Sequence, residues 1–282
     1  MLGWTDVDRS EPPPLDAGVL RRALVRDAGG DPDAFWSRVD VVTETGSTNA
    51  DLLAAPRDAD YPRSVLIAEH QTGGRGRHAR PWVSAPRALV TVSAVLDMPG
   101  MDLADIGWLP LLAGVAVVDV LRGTAGVDAE LKWPNDVLIG GRKVVGILAE
   151  VAATAPVPTV VVGIGLNVSL TEDELPVPTA TSLLLEDAEV TDRTVLVRAI
   201  LRELARRHRE WEAAGWKVDA LAAAYKERCG TLGRRVRAEL PGDRELIGTA
   251  IDVDVEGRIV IQADGKSPVA VSAGDITHLR AV

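Results

Sequence analysis

Leu131-Lys132-Trp133-Pro134-Asn135-Asp136-Val137-Leu138-Ile139-Gly140-Gly141-Arg142-Lys143-Val144-Val145-Gly146-Ile147-Leu148 is the stretch whose reading decides the fold. Gly140-Gly141 separates two β-type runs, the signal of a tight hairpin whose turn residues both need positive φ. That register pairs Ile139 with Arg142, Leu138 with Lys143 and Asp136 with Val145. Side chains alternate along a strand, so Asp136 and Lys143 fall on one face as diagonal neighbours. An acid and a cation are thereby set side by side. The pair reads either as a cross-strand ion pair or as a catalytic couple.

Working outward, Leu109 to Arg122 reads as a helix apolar enough to be buried, and its longest apolar run, near Leu109 to Val118, is too short to span a bilayer. On the other side, Pro158 to Val168 alternates as a strand. Val160, Val162, Ile164, Leu166 and Val168 share one face, and Val161, Gly163, Gly165 and Asn167 share the other. Glycines inside a strand weaken it and often mark a close approach to the backbone. Here the approaching group is either a packed helix or a ligand. Further upstream, Gln71-Thr72-Gly73-Gly74-Arg75-Gly76-Arg77-His78-Ala79-Arg80-Pro81-Trp82 joins two apolar runs, Ser64 to Glu69 and Ala88 to Leu96. Its glycines allow backbone N–H groups to approach an anion, and its arginines offer bidentate donors for phosphate or carboxylate. A solvated basic surface loop is the plainer reading. It is not a P-loop, because no Gly-Lys-Ser/Thr follows.

The outer parts fill in the plan. Met1 to Pro14 reads as a loose tail, and Leu15 to Ala28 as a helix ending at Gly29-Gly30. Ser37 to Thr43 reads as a strand leading into Glu44 to Leu53, where Ser47 or Thr48 is a natural helix N-cap. Thr194 to Ala213 is a helix with Val197, Leu201, Leu204, His208 and Trp211 on one stripe, so His208 is a core or boundary residue. Arg202, Arg206, Arg207 and Arg209 read as its solvated face, and Ala220 to Arg228 as one more helix. From Thr231 the pattern changes to short alternating runs (Arg235 to Leu240, Leu246 to Val253, Arg258 to Gln262, Val269 to Ser272). They are broken by Pro241-Gly242-Asp243, Glu256-Gly257 and Asp264-Gly265, as in a small barrel. The chain thus divides into a tail and helix over 1–36, a larger domain over 37–229 and a β unit over 230–282.

The 282 residues carry a net charge of −10, with 46% hydrophobic and 26% charged residues. That is the composition of a globular protein, and its acidity argues against general affinity for nucleic acid or anionic membrane. The single cysteine, Cys229, excludes an intrachain disulfide, suits a reducing compartment and reads as a packing residue. No secretory signal is visible, so the expected location is the cytoplasm. No cluster has metal-ligand spacing and no Gly-x-Ser-x-Gly elbow is present. What remains is a set of anion-handling parts suited to activating a carboxylate with ATP, where fixed cations lower the barrier between two anions.

Gly74-Arg75-Gly76-Arg77-His78-Ala79-Arg80, Lys132-Trp133-Pro134-Asn135-Asp136 and Gly163-Ile164-Gly165-Leu166-Asn167 resemble, in order, the three signature blocks of biotin–protein ligases. Ser47-Thr48-Asn49, Ala180-Thr181-Ser182-Leu183 and Ala273-Gly274-Asp275 resemble its weaker motifs, so the likeness covers roughly Val39 to Arg280. The resemblance implies an α+β fold, a mixed sheet packed with helices of the class II aminoacyl-tRNA synthetase-like kind, plus a small C-terminal SH3-like β-barrel. It implies formation of biotinyl-5′-AMP from biotin and ATP, with Mg2+ on the triphosphate. The biotinyl group then passes to a lysine of a biotin carboxyl carrier domain of a biotin-dependent carboxylase. Carried over by motif, Ser47, Thr48 and Gln71 bind the ureido ring, with Asn49, Gly74 and Gly146 completing the biotin site. Arg75, Arg77 and Lys143 hold the biotin carboxylate and the α-phosphate. Trp82 and Asn167 contact adenine, with Arg80, Lys132 and Asn135 also on the adenylate side. Arg77, Lys143 and Asp136 form the catalytic set, Asp136 orienting or deprotonating the acceptor lysine.

Two departures stand out. The family loop often has glycine where this chain has Ala79, and Pro81 follows closely, so the segment is expected to be stiffer. About forty residues precede the Ser47 block, too few for the helix-turn-helix domain of repressor members, so DNA binding is not expected. The rival readings are a lipoate–protein ligase, which shares the chemistry, and a biotinyl-AMP-sensing regulator.

Overall fold

A computed structural model describes residues 12–26, 34–82, 85–240, 244–272 and 275–278. The expected loose start of the tail, the Gly29-Gly30 stop, the Pro241-Gly242-Asp243 turn and Ala273-Gly274 lie outside the described residues.

Strands β1 (Arg38–Val42), β2 (Ser64–Ala68), β3 (Leu89–Asp97), β4 (Ala129–Lys132), β5 (Asp136–Ile139), β6 (Arg142–Ala153) and β7 (Thr159–Asn167) form one sheet in the order β1-β2-β3-β7-β6-β5-β4. β1 and β2 run parallel and every other neighbouring pair antiparallel, so the sheet is mixed. Gly140 and Gly141 have φ of 56° and 79°, the left-handed conformation the hairpin turn requires. The register follows expectation at Ile139–Arg142 and Leu138–Lys143, then slips. A bulge makes Val137 face Val145 and Asp136 face Gly146, where an unbroken ladder would pair Asp136 with Val145. The extra residue, Val144, is fully buried, which gives the bulge a packing reason.

Helices α1 (Ala17–Leu24), α2 (Thr48–Ala54), α3 (Leu109–Thr124), α4 (Arg193–Ala213) and α5 (Asp219–Arg228) complete the larger layer. α1 stops short of Ala28 because Val25 turns extended and bridges Trp36. Helical structure runs on from Leu103 to Thr124, 22 residues long and apolar enough in length and composition to cross a membrane. That corrects the expectation of a run too short to do so. Its apolar side chains serve the core instead, since Leu109, Leu112, Val115, Ala116 and Leu121 are all buried there. His208 is fully buried on α4, with Nε2 3.1 Å from the Asp97 carbonyl oxygen. One arginine, Arg207, departs from the solvated-face reading, while Arg209 stays exposed. Arg207 is only 12% exposed and pairs with Asp119 of α3, which also takes Arg228 Nε of α5 at 2.6 Å. The Arg209 guanidinium lies 5.4 Å from the Phe35 ring centroid. Cys229 is buried and free, and burial pushes its thiol pKa up.

The C-terminal strands β8 (Arg235–Leu240), β9 (Arg244–Val253), β10 (Ile259–Gln262), β11 (Val269–Val271) and β12 (Asp275–His278) form a separate antiparallel sheet in the order β11-β10-β9-β8-β12, the SH3-like unit. Two indoles fasten it to the larger layer. Trp108 Nε1 donates to the Val255 carbonyl at 2.8 Å and Trp133 Nε1 to the Gly257 carbonyl at 2.9 Å. Trp133, the tryptophan of the Lys132 to Asp136 block, is therefore a buried joint between the two sheets.

Candidate active site

The two faces of β3 and β7 are chemically different, and the cleft follows from that difference. On one face Val90, Val92, Ala94 and Leu96 of β3 join Val160, Val162, Ile164 and Leu166 of β7 in the main core. On the other, Thr91 is paired with Gly165 and Ser93 with Gly163. The glycines leave space above the sheet, and two groups fill it. A Cβ at Gly163 would lie 2.3 Å from Asn49 Oδ1 of α2, and one at Gly165 would lie 2.5 Å from Trp82 Nε1. The helix reading holds at Gly163, while at Gly165 the approaching group is the Trp82 indole of the basic loop.

A cleft of about 360 Å³ results. Of the residues singled out in the sequence, Ser47, Thr48, Asn49, Gln71, Arg75, Arg77, Arg80, Trp82, Asn135, Asp136, Lys143, Gly146 and Asn167 line it. Gly74 and Lys132 do not. A Cβ on Gly74 would lie 2.6 Å from the Trp82 carbonyl oxygen, so that glycine lets the loop close on itself. Lys132 stands behind Asp136, its Nζ 3.8 Å from Oδ2.

Each wall has a local cause. Ser47 caps α2, its Oγ accepting from Ala50 N–H at 3.4 Å, and so sets Thr48 and Asn49 on the first helical turn. The loop is stitched to that segment, since Thr72 N–H donates to Thr45 O at 2.9 Å and Gly73 N–H to Gly46 O at 2.8 Å. It then folds back as its own small hairpin, with Gly76 N–H on Arg80 O at 2.7 Å and Trp82 N–H on Gly74 O at 2.9 Å. Ala79 sits at φ 56°, the left-handed region where a Cβ is disfavoured, so glycine would be at ease where this chain has alanine. The Trp82 indole lies against Gly165 and Gly146, and its buried N–H has no hydrogen-bond partner among the described residues.

Lys143 and Asp136 meet across the hairpin, Nζ to Oδ1 at 2.5 Å, and Nζ stands 5.4 Å from the centre of the Trp82 ring. Asn135 is held by Nδ2 on the Ile147 carbonyl at 2.7 Å and faces Arg77. Asn167 is buried, with Nδ2 donating to the Thr181 carbonyl at 2.9 Å. Among the described residues four cations (Arg75, Arg77, Arg80 and Lys143) and one carboxylate, Asp136, line the cleft, so it is locally basic within an acidic chain. Among the described residues no group of three His, Cys, Asp or Glu side chains could hold a metal ion. Sequence reasoning missed Thr91, Ser93, Pro176 and Val177 in the lining. The first two had a signal, polar residues two apart in an otherwise apolar strand. The last two come from a loop with no pattern to read.

Residues 41–167 match the model of the biotin/lipoate A/B protein ligase family, and residues 231–279 that of the biotin protein ligase C terminal domain. The chain is also 46% identical over 280 residues to the biotin–[acetyl-CoA-carboxylase] ligase of Mycobacterium tuberculosis, covering 98% of this chain and all of that one. The chain belongs to the biotin protein ligase family. A bifunctional ligase/repressor of Bacillus subtilis is 33% identical over 237 residues, 80% of this chain and 68% of that one. Among solved structures, a biotin protein ligase from Aquifex aeolicus in complex with biotin and ATP superposes with a TM-score of 0.72 at 24% identity, covering 87% of this chain and 100% of that one. That likeness establishes the shared fold. This biotin protein ligase is therefore an enzyme with a mixed catalytic sheet and an SH3-like appendage.

Proposed function

We propose that the cleft joins biotin to ATP and then passes the biotinyl group to a lysine of a carboxyl carrier domain, that of acetyl-CoA carboxylase by similarity to the mycobacterial relative. In the first step a biotin carboxylate oxygen attacks the α-phosphorus and pyrophosphate leaves. Both reactants are anions, and Arg75, Arg77 and Lys143 supply the fixed positive charge that their approach needs. Ser47, Thr48 and Gln71 take the ureido ring, which is neutral and needs hydrogen bonds. Trp82 and Asn167 take the adenine side, with Arg80 and Asn135 around the phosphate and Lys132 supporting Asp136 from behind. In the second step the acceptor amine attacks the acyl carbon and AMP leaves, with Asp136 accepting the amine proton.

The observation that carries this reading is the Lys143–Asp136 pair, a cation and a base on one hairpin face at a cleft that also carries Arg75, Arg77 and Arg80. Mg2+ fits as the counter-ion of the triphosphate, because Asp136, the one carboxylate lining the cleft among the described residues, is already held by two lysines. We take residues 37–229 as the catalytic unit and 230–282 as the barrel, a division supported by the two separate sheets. A free, buried cysteine suits action in the cytoplasm. The test is ATP-dependent transfer of biotin, with lipoate as the competing acid, to a purified carrier domain. Incorporation of biotin alone supports the reading, and incorporation of lipoate alone contradicts it.

A further inference from the structure

Resting on that biotin reading, a chain of buried oxygens in the cleft floor allows its protons to be counted. Gln71, Thr48, Ser93 and Asn49 are 8%, 2%, 0% and 6% exposed. Backbone groups fix both ends. Thr48 N–H donates to Gln71 Oε1 at 2.8 Å, so that oxygen is an acceptor. Asn49 Nδ2 donates to the Leu148 carbonyl at 3.2 Å and to Glu150 Oε2 at 2.7 Å, so Oδ1 must be the atom facing Ser93. Between these ends run three oxygen–oxygen contacts: Asn49 Oδ1 to Ser93 Oγ at 2.6 Å, Ser93 Oγ to Thr48 Oγ1 at 2.7 Å and Thr48 Oγ1 to Gln71 Oε1 at 2.9 Å.

Ser93 and Thr48 bring one hydroxyl proton each, so one of the three contacts has none. The shortest takes the Ser93 proton. Ser93 Oγ then accepts from Thr48, and the contact left without a proton lies between Thr48 Oγ1 and Gln71 Oε1. Both residues line the cleft. We propose that Asn49, Ser93 and Glu150 are positioning residues that turn Thr48 and Gln71 into paired acceptors, so that the floor takes a ligand bringing its own N–H donor. A cyclic urea presents that donor to both oxygens, and the dithiolane ring of lipoate does not. A buried acceptor left without a donor is costly, which makes such a floor discriminating. Gly163 is part of the device, since its missing Cβ is what admits the Asn49 amide. Asn49 itself, whose polar atoms all engage protein groups, orients the floor without touching the ligand.

Biotin-dependent pyrophosphate exchange by the full chain tests this, with separate KM values for biotin and ATP. The probes are biotin and the two carbamate analogues in which one or the other ureido N–H is replaced by oxygen. The wild type should disfavour at least one carbamate about tenfold. Ser93→Ala should raise the biotin KM about tenfold, leave the ATP KM unchanged and erode the preference for biotin over that carbamate, because the Thr48 proton then turns to Gln71. Should Ser93→Ala fail to fold, Glu150→Ala against Glu150→Gln makes the same comparison. Alanine should raise the biotin KM, and glutamine, which still offers Asn49 an acceptor, should not. An unchanged biotin KM, a parallel rise in both KM values, or an intact preference in the variant overturns the relay alone. A wild-type protein that exchanges nothing with biotin overturns the relay and the biotin reading together.

Discussion

Strand β7 presents Val160, Val162, Ile164 and Leu166 to the core on one face, and Gly163, Gly165 and Asn167 to the cleft on the other. The first face is filled with branched side chains from its own strand. The second is kept empty by its own strand and filled from elsewhere, by Asn49 of α2 and Trp82 of the loop. Stability and chemistry are thereby divided across the thickness of one strand. Changes on the core face should cost folding free energy with little effect on KM, and changes on the cleft face should do the reverse.

The largest stability effect is expected on the core face. Leu166→Ala removes a fully buried side chain and should lower unfolding free energy by about 3 kcal/mol, by denaturant titration, while biotin and ATP KM stay within twofold. A large KM change would show that the faces are coupled. On the same side of the sheet, burial, with Arg63 nearby, pulls the His208 pKa down from 6.5 to about 4. The unfolded chain takes up the proton first, so the stability gained from keeping this ring neutral is fully present above pH 6.5. It is lost as pH falls towards 4, an effect on the order of 3 kcal/mol. His208→Phe should flatten the acid limb of the stability–pH curve, and an unchanged limb would assign it to other groups.

On the cleft face the effects fall on activity rather than on stability. Gly165→Ala puts a methyl group where the Trp82 indole lies and should displace the ring, weakening adenylate binding by about 1–2 kcal/mol. Because Trp82 sits on a loop, the melting temperature should move by less than for Leu166→Ala. Asp136→Asn should keep much of adenylate formation and slow transfer to the carrier about tenfold. Raising the pH should partly restore it, since a free lysine with pKa of about 10.4 is then more often neutral. Equal loss of both half-reactions would make Asp136 a structural partner of Lys143.

Much of this contrast was legible in the sequence because period-two alternation names the faces of a strand. The Gly140-Gly141 turn and the meeting of Asp136 with Lys143 followed from the hairpin, and the alternation around Gly163 and Gly165 marked a close approach. The bulge at Val144 was not legible, since a valine there suits a regular strand as well as a buried bulge. Strand β12 was missed because Asp275–His278 lacks an apolar alternation of its own and gains its place by pairing with β8. Arg207 was misread as solvated because its partner Asp119 lies on another helix, a contact that charge spacing along α4 cannot reveal. Trp133 carried a family motif, yet only the packing shows that its indole joins the two sheets.

The division between the faces is tested most directly at Lys143, the cation nearest the proposed reacting centre. Pyrophosphate exchange and thermal unfolding should be measured on the same preparation of Lys143→Ala. The account predicts exchange reduced by two orders of magnitude or more, on the order of 3 kcal/mol of barrier stabilisation, with a nearly unchanged melting temperature. Near-normal exchange in the folded variant would contradict it.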